Sequence, residues 1–336
     1  MDITNHNSHA KHKTFVLGVD VSATHTTIGF FGVQQKPVLI FKFRYPTKEI
    51  KKIEDFLNEV LQYTQTHYGI TTDTVCLGIA GPLENNRTSA KLSNGKLTIS
   101  VSSIKKNTPL KHVSLMNDFE IIGYSIEVLD KKDLLTLAKQ KQKGSMAIIG
   151  PGSGLGKAWL VLNKQTGHFE VLPSEGGHEL FGAQNDEEKQ LLEFIKEKHK
   201  IKQVDYEKVL SGPGIANIFQ FLRTKTPSNI ADDPIMISQS KDPVCRRTME
   251  LFTIFLARAC QSAALNILAY GGVYIGGGIA AKNLNLFKSS VFMKTFLDNP
   301  VHQKLLKEIP VYVITNYDCS LYGAANVAIH FSEFRR

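Results

Sequence analysis

The sequence predicts a mixed α/β protein of two related β-β-β-α units with a ligand cleft between them. Three observations predict this class. Apolar strands come in successive threes, separated by short breaks, at two places in the chain. Each set is followed by helical periodicity and by further short strands. Several strands end in polar or glycine-rich turns, where α/β proteins gather their ligands. A length of 336 residues suits two domains.

Residues 14–21 (TFVLGVDV) form the first strand, which ends in an acid, Asp20. Residues 25–33 and 37–43 follow after tight turns, making an antiparallel meander. Residues 48–68 carry Ile50, Ile53, Phe56, Leu57, Val60 and Leu61 at helical spacing. Residues 74–80 are a short strand that stops at Gly81-Pro82. Residues 113–116 are another, stopping at Asn117-Asp118, with a helix from Phe119. The outline then repeats. Strands at 145–149 and 157–162 flank a glycine-rich turn at 150–156, and 168–172 is the third strand. Helices are expected at 187–199, 206–222 and 248–270, strands at 273–275 and 311–314, and a closing helix at 320–331.

Composition narrows the class of function. Hydrophobic residues are 42% and charged residues 21%, as in ordinary soluble proteins, so disordered, collagen-like and disulfide-scaffold classes are excluded. The net charge is +9 and the pI about 9.2. Residues 1–118 hold 14 basic against 9 acidic residues, and 119–336 hold 26 against 22, so no basic domain exists and no nucleic-acid partner is expected. The four cysteines form no CxxC pair, and Cys76 and Cys260 sit in apolar runs, as core thiols of a cytoplasmic protein do. Residues 1–13, with His6, His9 and His12, lack an apolar core and are expected to be a frayed tail, neither signal peptide nor metal site. The apolar stretch 251–270 is interrupted by Arg258, Gln261, Ser262 and Asn266, which argues for a buried helix and no membrane partner.

The polar strand ends carry the chemistry. The run GPGSGLG at 150–156 fails the G-x-G-x-x-G spacing and lacks the Gly-Lys-Ser/Thr of a P-loop. Four glycines still exceed what a hairpin needs, which favours an anion-cradling nest over a plain turn. Asn117-Asp118 follows an apolar strand, as a polar pair facing a cleft or as a helix N-cap. HELFG at 178–182 lacks the second histidine of a zinc protease, and Pro151 breaks any G-x-S-x-G elbow.

Five segments in order resemble the bacterial glucokinases of the sugar-kinase/actin/Hsp70 superfamily, over about 15–331. LMNDFE resembles the family's catalytic segment, and GPGSGLG its second phosphate loop. SEGGHELF and YEKVLSGPGIANIF resemble its sugar-binding stretches, and VYIGGGIAAKN its adenosine motif. The zinc motif CxCGxxGC of the sister repressor-type sugar kinases is missing. The resemblance implies a two-domain, ribonuclease H-like (actin-like ATPase) fold with an interdomain cleft. The domains would be 1–128 with 319–336, and 129–318. It implies an ATP- and Mg²⁺-dependent hexose kinase, most simply a glucokinase, acting as a cytoplasmic homodimer. Asp118 would be the general base for the sugar 6-hydroxyl. Asn94, Asn117, Glu175, His178 and Glu207 would join it in holding the sugar, since carboxylates can each accept from two adjacent hydroxyls. Asp20 and Thr24, with Gly150, Gly152, Ser153, Gly154, Gly276, Gly277 and Gly278, would hold the nucleotide, and Asp20 would reach Mg²⁺ through water.

One motif departs from this pattern. The family's Asp-x-Gly-Gly-Thr-Asn reads Asp20-Val21-Ser22-Ala23-Thr24-His25 here, and an Arg that usually follows is replaced near Thr27. If Ser22 or Ala23 needed left-handed backbone, the cost would be ~1–2 kcal/mol. A sugar-binding regulator with impaired catalysis, or a kinase for another hexose or donor, therefore stands as the alternative.

Overall fold

The computed structural model describes residues 2–84, 86–93, 97–139, 143–165 and 167–333. The chain divides into two compact units, Met1–Lys131 with Asp318–Arg336, and Lys132–Tyr317.

The first unit contains β1 (Asp2–Asn5), β2 (Phe15–Val21), β3 (His25–Val33), β4 (Pro37–Pro46), α1 (Ile53–Tyr68) and β5 (Thr74–Ile79). A small hairpin of β6 (Ser89–Lys91) and β7 (Thr98–Ser100) leads to α2 (Val101–Asn107), β8 (His112–Asn117) and α3 (Asp118–Ser125). The sheet order is β1-β4-β3-β2-β5-β8. β2, β3 and β4 form the expected antiparallel meander, and β2, β5 and β8 run parallel. FVLGVDV reads as a nearly unbroken apolar run because both faces of β2 are covered. Leu17, Val19 and Val21 join Leu57 and Val60 of α1 in one core. Val16, Phe31 and Cys76 pack with Leu321, Ala324 and Ala328 of the C-terminal helix (Cys319–Glu333) in another. That helix also lies directly on α3. A Cβ at Gly323 would collide with the Ile121 carbonyl oxygen, so only glycine allows the approach.

The second unit contains β9 (Leu134–Ala138), β10 (Met146–Pro151), β11 (Leu155–Leu162), β12 (Phe169–Ser174), α4 (Asp186–His199), α5 (Gly212–Arg223), α6 (Pro234–Gln239) and α7 (Pro243–Ile267). It continues with β13 (Gly272–Ile275), α8 (Gly278–Lys282), α9 (Asn285–Lys288), α10 (Ser290–Phe296), α11 (Gln303–Lys307) and β14 (Val311–Ile314). The sheet order is β12-β11-β10-β13-β14-β9. A meander again lies beside two parallel strands. The internal repeat inferred from the strand pattern is therefore present as strand order, each unit adding one antiparallel strand at opposite ends of that order. Its core gathers Phe219, Phe252, Phe255 and Leu256 from α5 and α7 with Ala147, Ile149 and Val273 from the sheet.

Four local expectations are corrected. The N-terminal segment is not a frayed tail: β1 pairs with residues 41–44, and the His12 ring fills the space that Gly32 leaves open. The helix expected at 48–68 starts at Ile53, because 47–49 form a 3-10 turn and Lys52 is extended. The helix expected at 206–222 is a 3-10 turn, Tyr206–Lys208, followed by α5. Ser211 caps α5 and Pro213 sits in its first turn, where its missing N–H costs nothing. The helix expected at 248–270 starts at Pro243 behind an Asp242 cap and stops at Leu268, which is left-handed.

Candidate functional site

Two acids come together at strand ends in the first unit. Asp20 lies one residue from the end of β2, and Asp118 starts α3 directly after β8. These strands flank β5, so their ends lie at the same edge of the sheet. The helix cap is Asn117, not Asp118. Its Oδ1 accepts from the amides of Phe119 (2.9 Å) and Glu120 (3.3 Å), and Glu120 returns a carboxylate to the Asn117 amide (3.3 Å). This capping box leaves Asp118 at the first helical position. Burial raises the Asp118 pKa to about 6, and the neighbouring Asp20 charge adds to the rise. That value lies well above the ordinary aspartate range. Burial also raises the Asp20 pKa, against a hydrogen bond that the Ser320 hydroxyl donates (2.6 Å).

The turn after Asp20 is closed on itself. The Ser22 amide and hydroxyl both donate to the His25 carbonyl (3.1 and 2.8 Å), and Thr47 donates its hydroxyl to the Ser22 carbonyl (2.7 Å). No residue from 20 to 25 has positive φ. Ser22 and Ala23 are therefore unstrained, and the penalty considered from sequence does not arise. Thr24 is exposed beside them.

In the second unit, Glu175, His178 and Glu207 gather around two 3-10 turns, Gly176–His178 and Tyr206–Lys208. His178 Nδ1 meets Asp205 Oδ2 at 3.0 Å. That bond is the main cause of the raised His178 pKa, with the charges of Glu207, Asp205 and Glu175 adding to it against burial. The pairing occupies Nδ1 and leaves Nε2 for a ligand. Glu207 Oε2 accepts from the Leu155 amide (3.0 Å) and abuts Gly154, so one of the sugar acids expected from sequence touches the glycine turn.

The glycine run is mostly strand. β10 extends to Pro151 and β11 begins at Leu155, so the turn is only Gly152-Ser153-Gly154. The Gly152 amide donates to the Gly154 carbonyl (2.8 Å), and the Gly212 amide at the start of α5 donates to the Gly152 carbonyl (2.8 Å). Gly277 has φ +84, and a Cβ there would lie 2.5 Å from the Pro151 carbonyl oxygen. Gly276 donates its amide to the Ile149 carbonyl (2.8 Å), so both glycine motifs meet at the end of β10. Between them opens a cavity of about 320 Å³. Gly152, Ser153 and Gly278 line it with the apolar side chains of Ile215, Ile235 and Ile279. Lys282 also borders it. A small pocket with apolar walls and one glycine-rich rim suits a planar base joined to phosphates.

The structure thus groups the expected residues into three sets: Asp20 with Asn117 and Asp118, Glu175 with His178 and Glu207, and the glycines around the cavity. Asn94 lies outside the described residues. Sequence reasoning missed Asp205, Ser320 and the α6 wall of the cavity. Asp205 was detectable as the Asx cap of its turn, accepting from the Lys208 amide (3.1 Å). Ser320 lies 300 residues from its partner and had no local signal. Among the described residues, no group of three or more His, Cys, Asp or Glu could hold a metal ion, and no helix is long and apolar enough to cross a membrane.

Comparison with known proteins identifies the family and the fold. Residues 17–330 match the family described as Glucokinase. A glucokinase of a Nostoc species is 33% identical over 341 residues, covering 93% of this chain and 98% of the relative. The crystal structure of a glucokinase from an Antarctic psychrotroph has a TM-score of 0.82 at 26% identity, covering 95% of this chain and all of that one. A Balamuthia mandrillaris glucokinase, solved in complex with glucose, shares the fold at 22% identity and a TM-score of 0.78, over 94% of each chain. The architecture is the actin-like ATPase fold with mixed sheets. The chain belongs to the glucokinase family.

Proposed function

We propose that this glucokinase transfers the γ-phosphoryl group of MgATP to the 6-hydroxyl of glucose, with Asp118 as general base. The observation that carries the base is the half-buried Asp118 carboxyl, its pKa raised to about 6, in the first turn of a capped helix. A group with that value is roughly nine-tenths ionised at pH 7 and a stronger base than an exposed aspartate. It accepts the hydroxyl proton as the oxygen attacks phosphorus in line. Phosphoryl transfer otherwise needs positioning and charge neutralisation.

Glu175, His178 and Glu207 hold sugar hydroxyls, and the side-chain amide of Asn117, which also hydrogen-bonds Asp118, adds to them. The adenosine occupies the cavity beside Gly152, Ser153 and Gly278, with its phosphates toward the glycine turn. Asp20 and Asp118 are neighbouring acids, and a pair of carboxylates fits a Mg²⁺ that arrives on ATP phosphates and keeps much of its water. Asp20 would hold it through water, and the ion would neutralise charge on the transferred group. The working protein is a cytoplasmic homodimer.

A panel of hexoses against several phosphoryl donors tests this reading. Glucose and ATP with Mg²⁺ should give the highest kcat/KM. A higher value for another sugar or donor would replace the substrate assignment. Glucose binding without turnover for any pair would support the regulator instead. Sedimentation of the purified chain tests the dimer.

A further inference from the structure

We propose that Arg87 is a positioning residue for catalysis: it holds Glu120, and through Glu120 the first turn of α3 that presents Asp118. This rests on the assignment of Asp118 as base.

Arg87 lies in the turn before β6, tied by its amide to the Glu84 carbonyl (2.8 Å). Its φ is +54, a conformation that residues with a side chain rarely adopt. Such an outlier persists where surrounding contacts impose it, and it is a reason to ask what the side chain does. The guanidinium reaches across 33 residues of sequence. Nη1 donates to both carboxylate oxygens of Glu120, at 3.0 and 2.9 Å.

Glu120 is only 2% exposed, while Arg87 is 41% exposed. A carboxylate so deep needs a charged partner, and Arg87 is the cation beside it. Burial raises the Glu120 pKa and Arg87 opposes that rise. Glu120 Oε2 also accepts from the Asn117 amide, completing the capping box. Arg87, Glu120, Asn117 and Asp118 therefore form one connected unit. Fixed by Arg87, Glu120 holds the cap, and the cap sets the backbone from which Asp118 projects. Loss of Arg87 leaves Glu120 to protonate or turn outward, and either outcome loosens the cap. Displacing a general base by a fraction of an ångström slows the chemical step more than it weakens substrate binding.

The test compares Arg87→Met, Arg87→Lys, Glu120→Gln and the Arg87→Met/Glu120→Gln double variant by steady-state kinetics, with Asp118→Asn as reference. Arg87→Met should lower kcat at least ~tenfold with glucose KM changed by less than about threefold. Arg87→Lys should recover much of that loss. Glu120→Gln should also be slow, and the double variant no slower than the worse single one, since both act along one path. Glu120→Gln keeps a neutral acceptor for the cap, so it stays informative if Arg87→Met folds poorly. A kcat near wild type in folded Arg87→Met or Glu120→Gln overturns the proposal. So does an additive double variant. Full turnover by Asp118→Asn would overturn the base itself. An inactive Asp118→Asn beside a fully active Arg87→Met would overturn only the positioning role.

Discussion

At the residue scale, the chemistry depends on how burial treats two acids. Asp118 is raised first by burial and then by Asp20. With Asp118 as the proposed base, kcat/KM should fall as pH drops through about 6, where the carboxyl becomes protonated. A limb near the ordinary carboxylate value would contradict the buried site, and pH-rate profiles read the difference. Asp118→Asn should cut kcat by ~10²–10⁴-fold while calorimetry shows glucose binding retained. The same substitution should raise the thermal midpoint at neutral pH. A carboxyl whose folded pKa lies above its unfolded value favours the fold at low pH and loses that contribution as pH rises through about 6. Asparagine removes the penalty.

At the element scale, strand ends, turns and helix caps place the candidate residues among those described. β8 stops at Asn117 because the next residues form a capping box, and this puts Asp118 in the first turn of α3. The Asn-Asp-x-Glu pattern was readable in the sequence. A cap at this place was readable too, but which residue supplies it was not, since that depends on where the helix begins. The glycine turn joins the cavity to Glu207. A Cβ at Gly154 would lie 2.5 Å from Glu207 Oε2. Gly154→Ala should displace that carboxylate and raise glucose KM by roughly tenfold. An unchanged KM would separate Glu207 from the sugar. Gly323→Ala acts elsewhere, pushing the C-terminal helix off α3, and should destabilise the fold by about 1–3 kcal/mol in a denaturant titration.

At the scale of the whole molecule, the chain ends inside the unit in which it began. The C-terminal helix covers β2, β3 and β5 with Leu321, Ala324, Ala325 and Ala328, and its Ser320 bonds Asp20. A chain ending at Tyr317 would expose Val16, Phe31 and Cys76 to water. It should be insoluble or molten, with lost near-ultraviolet dichroism, although it keeps Asp20 and Asp118. A soluble and active truncated chain would show that the helix is dispensable. The net charge of +9 needs no nucleic-acid partner, since the basic residues are dispersed along the chain.

The sequence by itself determined the fold class, the repeated meander and the family. These rest on local patterns, namely apolar runs buried on both faces and motifs a few residues long. It also singled out Asp118, Glu175, His178, Glu207 and the glycine motifs as candidates, because each lies at a strand end or turn with its own signature. Only the tertiary structure decided what distance in the chain had concealed. The Asp118 pKa depends on a neighbour 98 residues away in sequence, and the state of Asp20 depends on Ser320. The Ser22-Ala23 turn proved unstrained only once its backbone angles were known. The pairing of β1 and the contact of Arg87 with Glu120 likewise join separate segments. Local patterns follow from which faces of a strand or helix are buried. Electrostatic environment follows from which groups folding brings close, and that has no local signature.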